Sequence, residues 1–451
     1  MFLFRRHSDD FVHMITSNRV TDSWRWSVAM ALYRLLAPCL LGIALPSWLR
    51  KMVARDGWST PFGERFGIYR NDIESAPCGR IHLHAVSVGE TLIALKFLQS
   101  WRQRHADPVV LAVGTATAYQ LAVASTIDDL TVVYAPLDIH AFVLSYLRRF
   151  EPALIVLVEA EAWPELMTQC QKRAIPVCMI NARLSSRSER RYQKVRNWIM
   201  PLFGKISHIG LQGQEDAARF AGLGMKADRL QVTGSIKFDP VAAIKPKMRD
   251  EFAAILEPIR SGRSVILAAS THDGEEQLLA QAVCSRNRLL VCVPRHAERR
   301  NEVKQQLSTA GLRVWLRSDG VPPLGVEIDV LIIDSTGELR DWTSHADVVI
   351  IGKSFLSNGG QNPAEAILAD KPVIVGPHME NFEPLTSQLL AAEGIIRIHE
   401  VQNLSEELDQ LLDHHHRIKA MTLRCREVLQ IHAGATIRSM EMIESLLQRC
   451  D

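Results

Sequence analysis

The chain has 451 residues, 47% hydrophobic and 23% charged, close to globular averages and with little room for long disordered regions. Such a length exceeds what one core usually serves, so two domains of about 200 residues are expected. A formal net charge of +2 without a long basic tract gives no case for nucleic acid as a partner. Eight cysteines without a Cys-x-x-Cys pair read as reduced thiols in a cytosolic compartment, not as a disulfide framework or a zinc site.

The first unusual segment is Ser27 to Leu49, nearly all apolar, with Arg34 its one charge. Its length fits a membrane helix of ~20 residues, although Pro38, Pro46 and Arg34 interrupt a simple spanning pattern. A removed signal peptide is disfavoured, because the basic pair Arg50-Lys51 follows and no small-residue cleavage pattern precedes it. The expectation is a membrane-inserted or interfacial anchor. Trp24, Trp26 and Trp48 bracket it as interfacial aromatics, and Arg25, Arg50, Lys51 and Arg55 suit anionic headgroups. A buried helix packed on the first domain is the alternative.

From Ile81 onward, short β-rich runs alternate with longer helical patterns, the signature of parallel sheets covered on both faces. The predicted strands of the first half are Ile81 to Val86, Val109 to Val113, Thr131 to Tyr134, Leu154 to Val158, Val177 to Ile180 and Ile206 to Gln212. Those of the second half are Ser264 to Ala268, Leu289 to Val293, Val330 to Ile333, Val348 to Ile351 and Pro372 to Val375. Lys245-Pro246-Lys247 marks a linker between them. The segments are therefore 1–51, an anchor; 52–243, a first Rossmann-like domain; 244–423, a second; and 424–451, a C-terminal helix. Neither a Gly-x-Gly-x-x-Gly dinucleotide fingerprint nor a Walker A sequence is present.

Two short stretches carry chemistry. In His84-Ala85-Val86-Ser87-Val88-Gly89-Glu90, a strand turns into a helix and places Glu90 in the first helical turn, where the dipole favours a carboxylate. In Gly359-Gly360-Gln361-Asn362-Pro363-Ala364-Glu365, Asn362 is a good N-cap and Pro363 a favoured first helical residue, so the helix end offers N–H groups to a phosphate. With Tyr134 to Asp138, Glu159 to Pro164, Asn181 to Ser185, Gly234 to Asp239, Ser270-Thr271-His272, Pro294-Arg295-His296 and Asp334 to Leu339, the chain resembles the 3-deoxy-D-manno-octulosonic acid (Kdo) transferases of Gram-negative envelope synthesis.

The resemblance implies the B-type glycosyltransferase fold, α/β, with two Rossmann-like domains facing a cleft and an N-terminal membrane-associated helix. It implies an acceptor site in the first domain, a nucleotide-sugar site in the second, and a last helix, Arg424 to Leu447, returning to the first. The implied reaction is inverting transfer of Kdo from CMP-Kdo to a lipid A precursor, tetraacyldisaccharide bisphosphate, at the cytoplasmic side of the inner membrane, with no cofactor or metal. By resemblance Glu90 is the base, and Glu159 and Lys237 stabilise the transition state. Donor contacts are implied at Pro294, Arg295, Gly337, Glu338, Leu339, Asn362, Pro363, Ala364 and Glu365, and acceptor contacts at Ser87, Gly89 and Arg183. Lys353 and Ser354 are local candidates for a phosphate or carboxylate, read from the residues themselves. Glu365 reads as a ribose hydroxyl acceptor, as the Glu of an Asn362 capping box, or as both.

His272 and His296 lack a surrounding ligand cluster and read as hydrogen-bonding groups, while His414-His415-His416 reads as a solvated face. The chain departs from the family at Ala160 and Ala162 (commonly Thr and Leu), Glu165 (Asn), Gln361 (His) and Lys353 (Gly), and in Gly114-Thr115-Ala116-Thr117-Ala118-Tyr119. These departures leave open the acceptor details and the number of sugars added. Competing readings are a relative using another activated sugar acid or acceptor, a non-catalytic binding protein, and a sugar-nucleotide epimerase, which would need no lipid anchor.

Overall fold

The computed structural model describes residues 24–53, 60–73, 80–159, 162–239, 246–284 and 287–448. Ala160, Glu161, Lys245 and Arg55 lie outside them, as do the side chains of Trp48 and Lys51. The chain divides into two compact units, one of residues 1–242 and 434–451, the other of Ala243–Ala433.

The first unit is built on seven parallel strands: β1 (Ile81–Ala85), β2 (Val109–Val113), β3 (Leu130–Tyr134), β4 (Leu154–Val158), β5 (Val177–Ala182), β6 (His208–Leu211) and β7 (Leu230–Val232). Their order is β3-β2-β1-β4-β5-β6-β7, a doubly wound sheet whose direction of winding reverses between β1 and β4. Both faces are covered, which explains why the central strands read as unbroken apolar runs. Val110, Ala112, Ile155 and Leu157 face helices His140–Phe150 and Pro164–Lys172. Val109, Leu111, Val156 and Val158 face helices Val88–Trp101 and Ala435–Leu447.

The N-terminal helix, Trp24–Val53, is one continuous element despite Pro38 and Pro46. Its stretch Trp24–Ile43 is, among the described residues, the one segment long and apolar enough to cross a membrane. Two sides of this helix differ. Trp26 and Met30 are buried in the core of the first unit, Tyr33 donates to Asp138 Oδ2 (2.8 Å), and Arg34 donates to both oxygens of Glu165 (2.8 and 3.1 Å). Leu32, Leu35, Leu36, Leu40 and Ile43 are exposed. Trp26 is therefore a core residue and not the interfacial aromatic expected of it, whereas Trp24 is exposed. Glu165 also explains one departure from the family. Its side chain is fully buried and accepts from Arg34, His140 and Gln169, which hold it below the usual carboxylate range although burial alone would raise it.

The second unit has its own seven parallel strands: β8 (Ser264–Thr271), β9 (Arg288–Pro294), β10 (Val314–Leu316), β11 (Val330–Ile332), β12 (Val348–Ile351), β13 (Val373–Val375) and β14 (Ile395–Arg397). The order β10-β11-β9-β8-β12-β13-β14 reverses between β8 and β12. Ile266, Ala268, Leu290, Cys292 and Ile350 pack under helices Glu275–Val283, Arg300–Thr309 and Leu404–Asp413.

The stretch expected to form one C-terminal helix is two. Arg424 lies within helix His415–Gln430 of the second unit, and a turn ending at Gly434, with φ of +74°, leads into helix Ala435–Leu447 of the first. Asp239 holds the start of that last helix by accepting the Gly434 and Thr436 N–H groups (2.9 and 2.8 Å).

Candidate active site

Each sheet reverses at a point where the strand ends leave a crevice, the usual location of ligands in open parallel sheets. In the first unit, Glu90 follows β1 and Glu159 follows β4, the two strands that flank the reversal. Ser87 caps helix Val88–Trp101: its hydroxyl accepts the Glu90 N–H (3.2 Å) and donates back to Glu90 Oε1 (2.8 Å). The Val86 N–H donates to Glu90 Oε2 (2.8 Å). The carboxylate is thus oriented by one bond to each oxygen, leaving a lone pair on each. Glu90 is buried, and burial raises its pKa against the opposing pull of Ser87 and Val86. A carboxylate with a raised pKa is a stronger base than a solvated one.

Glu159 occupies a left-handed backbone conformation, φ of +65°, pinned by its N–H to the Ile180 carbonyl (3.0 Å). For a residue with a side chain this costs about 1–2 kcal/mol, so the surroundings must hold it there. Its pKa is raised by burial first and by Glu90 next, with Lys237 and Arg183 opposing. Lys237 lies in the short 3-10 turn Ile236–Phe238, and its pKa is lowered by burial, with Glu159 opposing and Arg183 adding. Glu90, Glu159, Lys237 and Arg183 are therefore one electrostatically coupled group. Gly89 sits in the same first helical turn as Glu90.

Asn181 is a site residue to which the sequence reading gave no role. Fully buried, with φ of +54°, it accepts the Ile236 N–H (2.9 Å) and the Ser235 hydroxyl (3.3 Å), fixing the turn that carries Lys237. Its residue type was the available signal, since Asn tolerates the left-handed region and binds nearby backbone.

The second unit gathers His272 after β8, Arg295 after β9 and Lys353 after β12. The Arg295 N–H donates to the Thr271 carbonyl (2.9 Å), tying the β9 end, Pro294 included, to β8. Gln361 and His272 meet at 3.2 Å, and the His272 and His296 rings are 6.1 Å apart. Burial, then Lys353, His296 and Arg295, push the His272 pKa down against Glu275. Glu365 is raised by burial, with Arg340 and Arg295 opposing, so it lies within the field of both guanidinium groups. Among the described residues, no cluster of three or more His, Cys, Asp or Glu is arranged to hold a metal.

Three expectations need correction. The fully buried Ser354 hydroxyl donates to the Ile351 carbonyl (2.5 Å) and accepts the Gly376 N–H (2.8 Å), so it ties β12 to the β13 end and is not available to an anion. The Glu338 carboxylate is taken by Arg317 (3.0 and 3.2 Å), Ser335 and Trp342, leaving backbone at Gly337, Glu338 and Leu339 for a ligand. Asn362 accepts the Ala364 N–H (3.1 Å), but Pro363 is the residue that precedes the helix, and that helix, Ala364–Leu368, is a single short turn. Its dipole is too small to carry the phosphate argument made from sequence.

Both units are doubly wound α/β sheets that carry charged side chains at the strand ends where the sheet reverses. The UDP-GlcNAc 2-epimerase from Neisseria meningitidis bound to UDP-GlcNAc shares the fold at a TM-score of 0.52, covering 81% of this chain and 100% of that one at 14% identity. The family model described as 3-deoxy-D-manno-octulosonic-acid transferase matches residues 60–240. The 3-deoxy-D-manno-octulosonic acid transferase of Bordetella pertussis is 33% identical over 413 residues, 89% of this chain and 95% of the relative. That of Haemophilus influenzae is 30% identical over 397 residues, 86% and 91%. The chain belongs to the Kdo transferase family and is a glycosyltransferase.

Proposed function

We propose that the protein moves Kdo from CMP-Kdo to a lipid A precursor, tetraacyldisaccharide bisphosphate, with inversion, in lipopolysaccharide core synthesis at the cytoplasmic side of the inner membrane. The observation that carries this reading is the oriented, buried Glu90 carboxylate coupled to Glu159, Lys237 and Arg183 at the sheet reversal of the first unit. An alcohol is far too weak an acid to ionise in advance, so its proton must leave as the new bond forms. In this reading Glu90 takes the proton from an acceptor hydroxyl while that oxygen attacks the anomeric carbon. The bond from that carbon to the phosphate oxygen breaks, and CMP departs with the electron pair. One displacement at one carbon inverts its configuration. Lys237 and Glu159 balance the charge that develops. Ser87, Gly89 and Arg183 contact the acceptor, where Arg183 suits one of its phosphates. The second unit takes the donor through the backbone at Pro294, Gly337, Glu338, Leu339, Pro363 and Ala364 and through the side chains of Arg295, Asn362 and Glu365. Incubation with CMP-Kdo and the disaccharide should yield a lipid heavier by whole Kdo units in the mass spectrum. Donor consumed without any change in lipid mass contradicts the acceptor assignment.

The N-terminal helix supports a lipid-borne acceptor. Its docked side is held by Trp26, Met30, Tyr33 and Arg34, so the exposed side is the one left to meet lipid. Deleting residues 1–50 would strip Arg34 from the buried Glu165 as well as remove the apolar face, which confounds anchoring with stability. Leu36→Glu with Leu40→Glu separates the two. Each removes about 1.5–3 kcal/mol of apolar transfer, so sedimentation with anionic vesicles should fall at least ~10-fold with the melting temperature preserved. Undiminished sedimentation would dismiss this face as the anchor.

A further inference from the structure

One fully buried carboxylate in the second unit belongs to no motif considered so far. Glu275 begins helix Glu275–Val283 and accepts three backbone N–H groups: His272 to Oε2 (3.0 Å), Lys353 to Oε2 (2.6 Å) and Phe355 to Oε1 (3.0 Å). The His272 bond is what a first-turn glutamate commonly makes to the chain entering its own helix. The other two bonds reach the loop after β12, which the helix does not need for its own stability. Glu275 therefore staples the ends of β8 and β12, the two strands at which this sheet reverses.

The stapled position is unusual. Lys353 has φ of +54°, a left-handed conformation that disfavours a side chain. Both its peptide groups are fixed, the N–H to Glu275 and the carbonyl to the Gly360 N–H (2.9 Å) of the Gly359-Gly360 turn. On one side, Gly352 lies so close to the Ser270 carbonyl that a Cβ there would sit 2.6 Å from its oxygen, so the loop cannot relax in that direction. A glycine would occupy position 353 without strain. The Lys353 charge acts on His272, and neither Lys353 nor Arg295 forms a side-chain ion pair among the described residues.

We propose that Glu275 is a positioning residue that holds Lys353 at the sheet reversal so that the ammonium contacts an anionic oxygen of the sugar donor, phosphodiester or sugar carboxylate. The inference rests on the reading of the second unit as the donor-binding unit. It assigns the otherwise costly left-handed lysine a ligand, and it gives the Glu275 carboxylate a purpose beyond its own helix.

The test is steady-state kinetics with CMP-Kdo, with CMP as a competing inhibitor, on Lys353→Gly, Glu275→Gln and the double variant. Lys353→Gly suits the backbone and should fold. Loss of one charge-assisted contact should raise the donor KM about 10-fold with kcat at saturating donor within about 3-fold. Glu275→Gln should raise the same KM, and adding Lys353→Gly to it should add little, because the two residues act as one unit. A CMP inhibition constant that rises with the KM places the ammonium on the phosphate. An unchanged one places it on the sugar carboxylate. Fully additive effects would overturn the positioning role. A donor KM unchanged in Lys353→Gly, where Arg295→Ala weakens CMP, overturns the inference and leaves the donor unit standing. If Arg295→Ala also leaves CMP binding unchanged, both fall together.

Discussion

Lys237→Ala should lower turnover about 10²–10³-fold, the size seen when one preorganised electrostatic contact to a transition state is removed. Acceptor and donor KM should move far less. Burial already lowers the Lys237 pKa, so its ammonium sits in a poorly solvated site where a charge acts over a short distance with little screening. Removing it also leaves Glu159, raised by burial and by Glu90, with Arg183 as its remaining named counter-charge. Lys237→Arg keeps the charge and should recover part of the loss. Were Lys237 only one half of a structural ion pair, its removal would lower stability and leave kcat intact. Turnover at saturating substrates, with a thermal melt alongside, separates the two.

The sequence carried the two-sheet plan and the place of Glu90, because central parallel strands are buried on both sides and read as apolar runs. It did not show β7, β10 or β14. These are three-residue strands at sheet edges, where only one neighbour pairs and polar residues such as Gln231 and Arg397 intrude. Trp26 was misread for a related reason. A helix with an apolar face toward protein and another toward solvent has no polar stripe, so its docked side is visible only through the partners of Tyr33 and Arg34, which lie more than a hundred residues away in sequence.

Within the site, the legible residues were those whose charge stands at a strand end. Glu275 and Asn181 were not, since each acts by holding backbone from distant segments, and such bonds leave no local spacing to find. Ser354 failed in the opposite sense: its hydroxyl suits an anion, but the Ile351 carbonyl and the Gly376 N–H claim it first.

The remaining large effect belongs to Glu90. Glu90→Gln keeps the size and one acceptor oxygen for Ser87 or Val86, yet loses the basic carboxylate, so general-base loss should lower turnover about 10²–10⁴-fold. Burial raises the Glu90 pKa, so the native rate should climb with pH through a value above the ordinary carboxylate range as the base ionises. The lowered Lys237 pKa should turn the rate down again below the ordinary lysine range as that proton is lost. A glutamate serving only the helix dipole would contribute about 0.3–1 kcal/mol of stability and nothing to this profile. The decisive measurement is turnover of Glu90→Gln at saturating CMP-Kdo and acceptor, across pH, beside its melting temperature. The account predicts a folded enzyme that binds both substrates, is slowed by at least ~100-fold and has lost the acid limb; near-native turnover with that limb intact would contradict it.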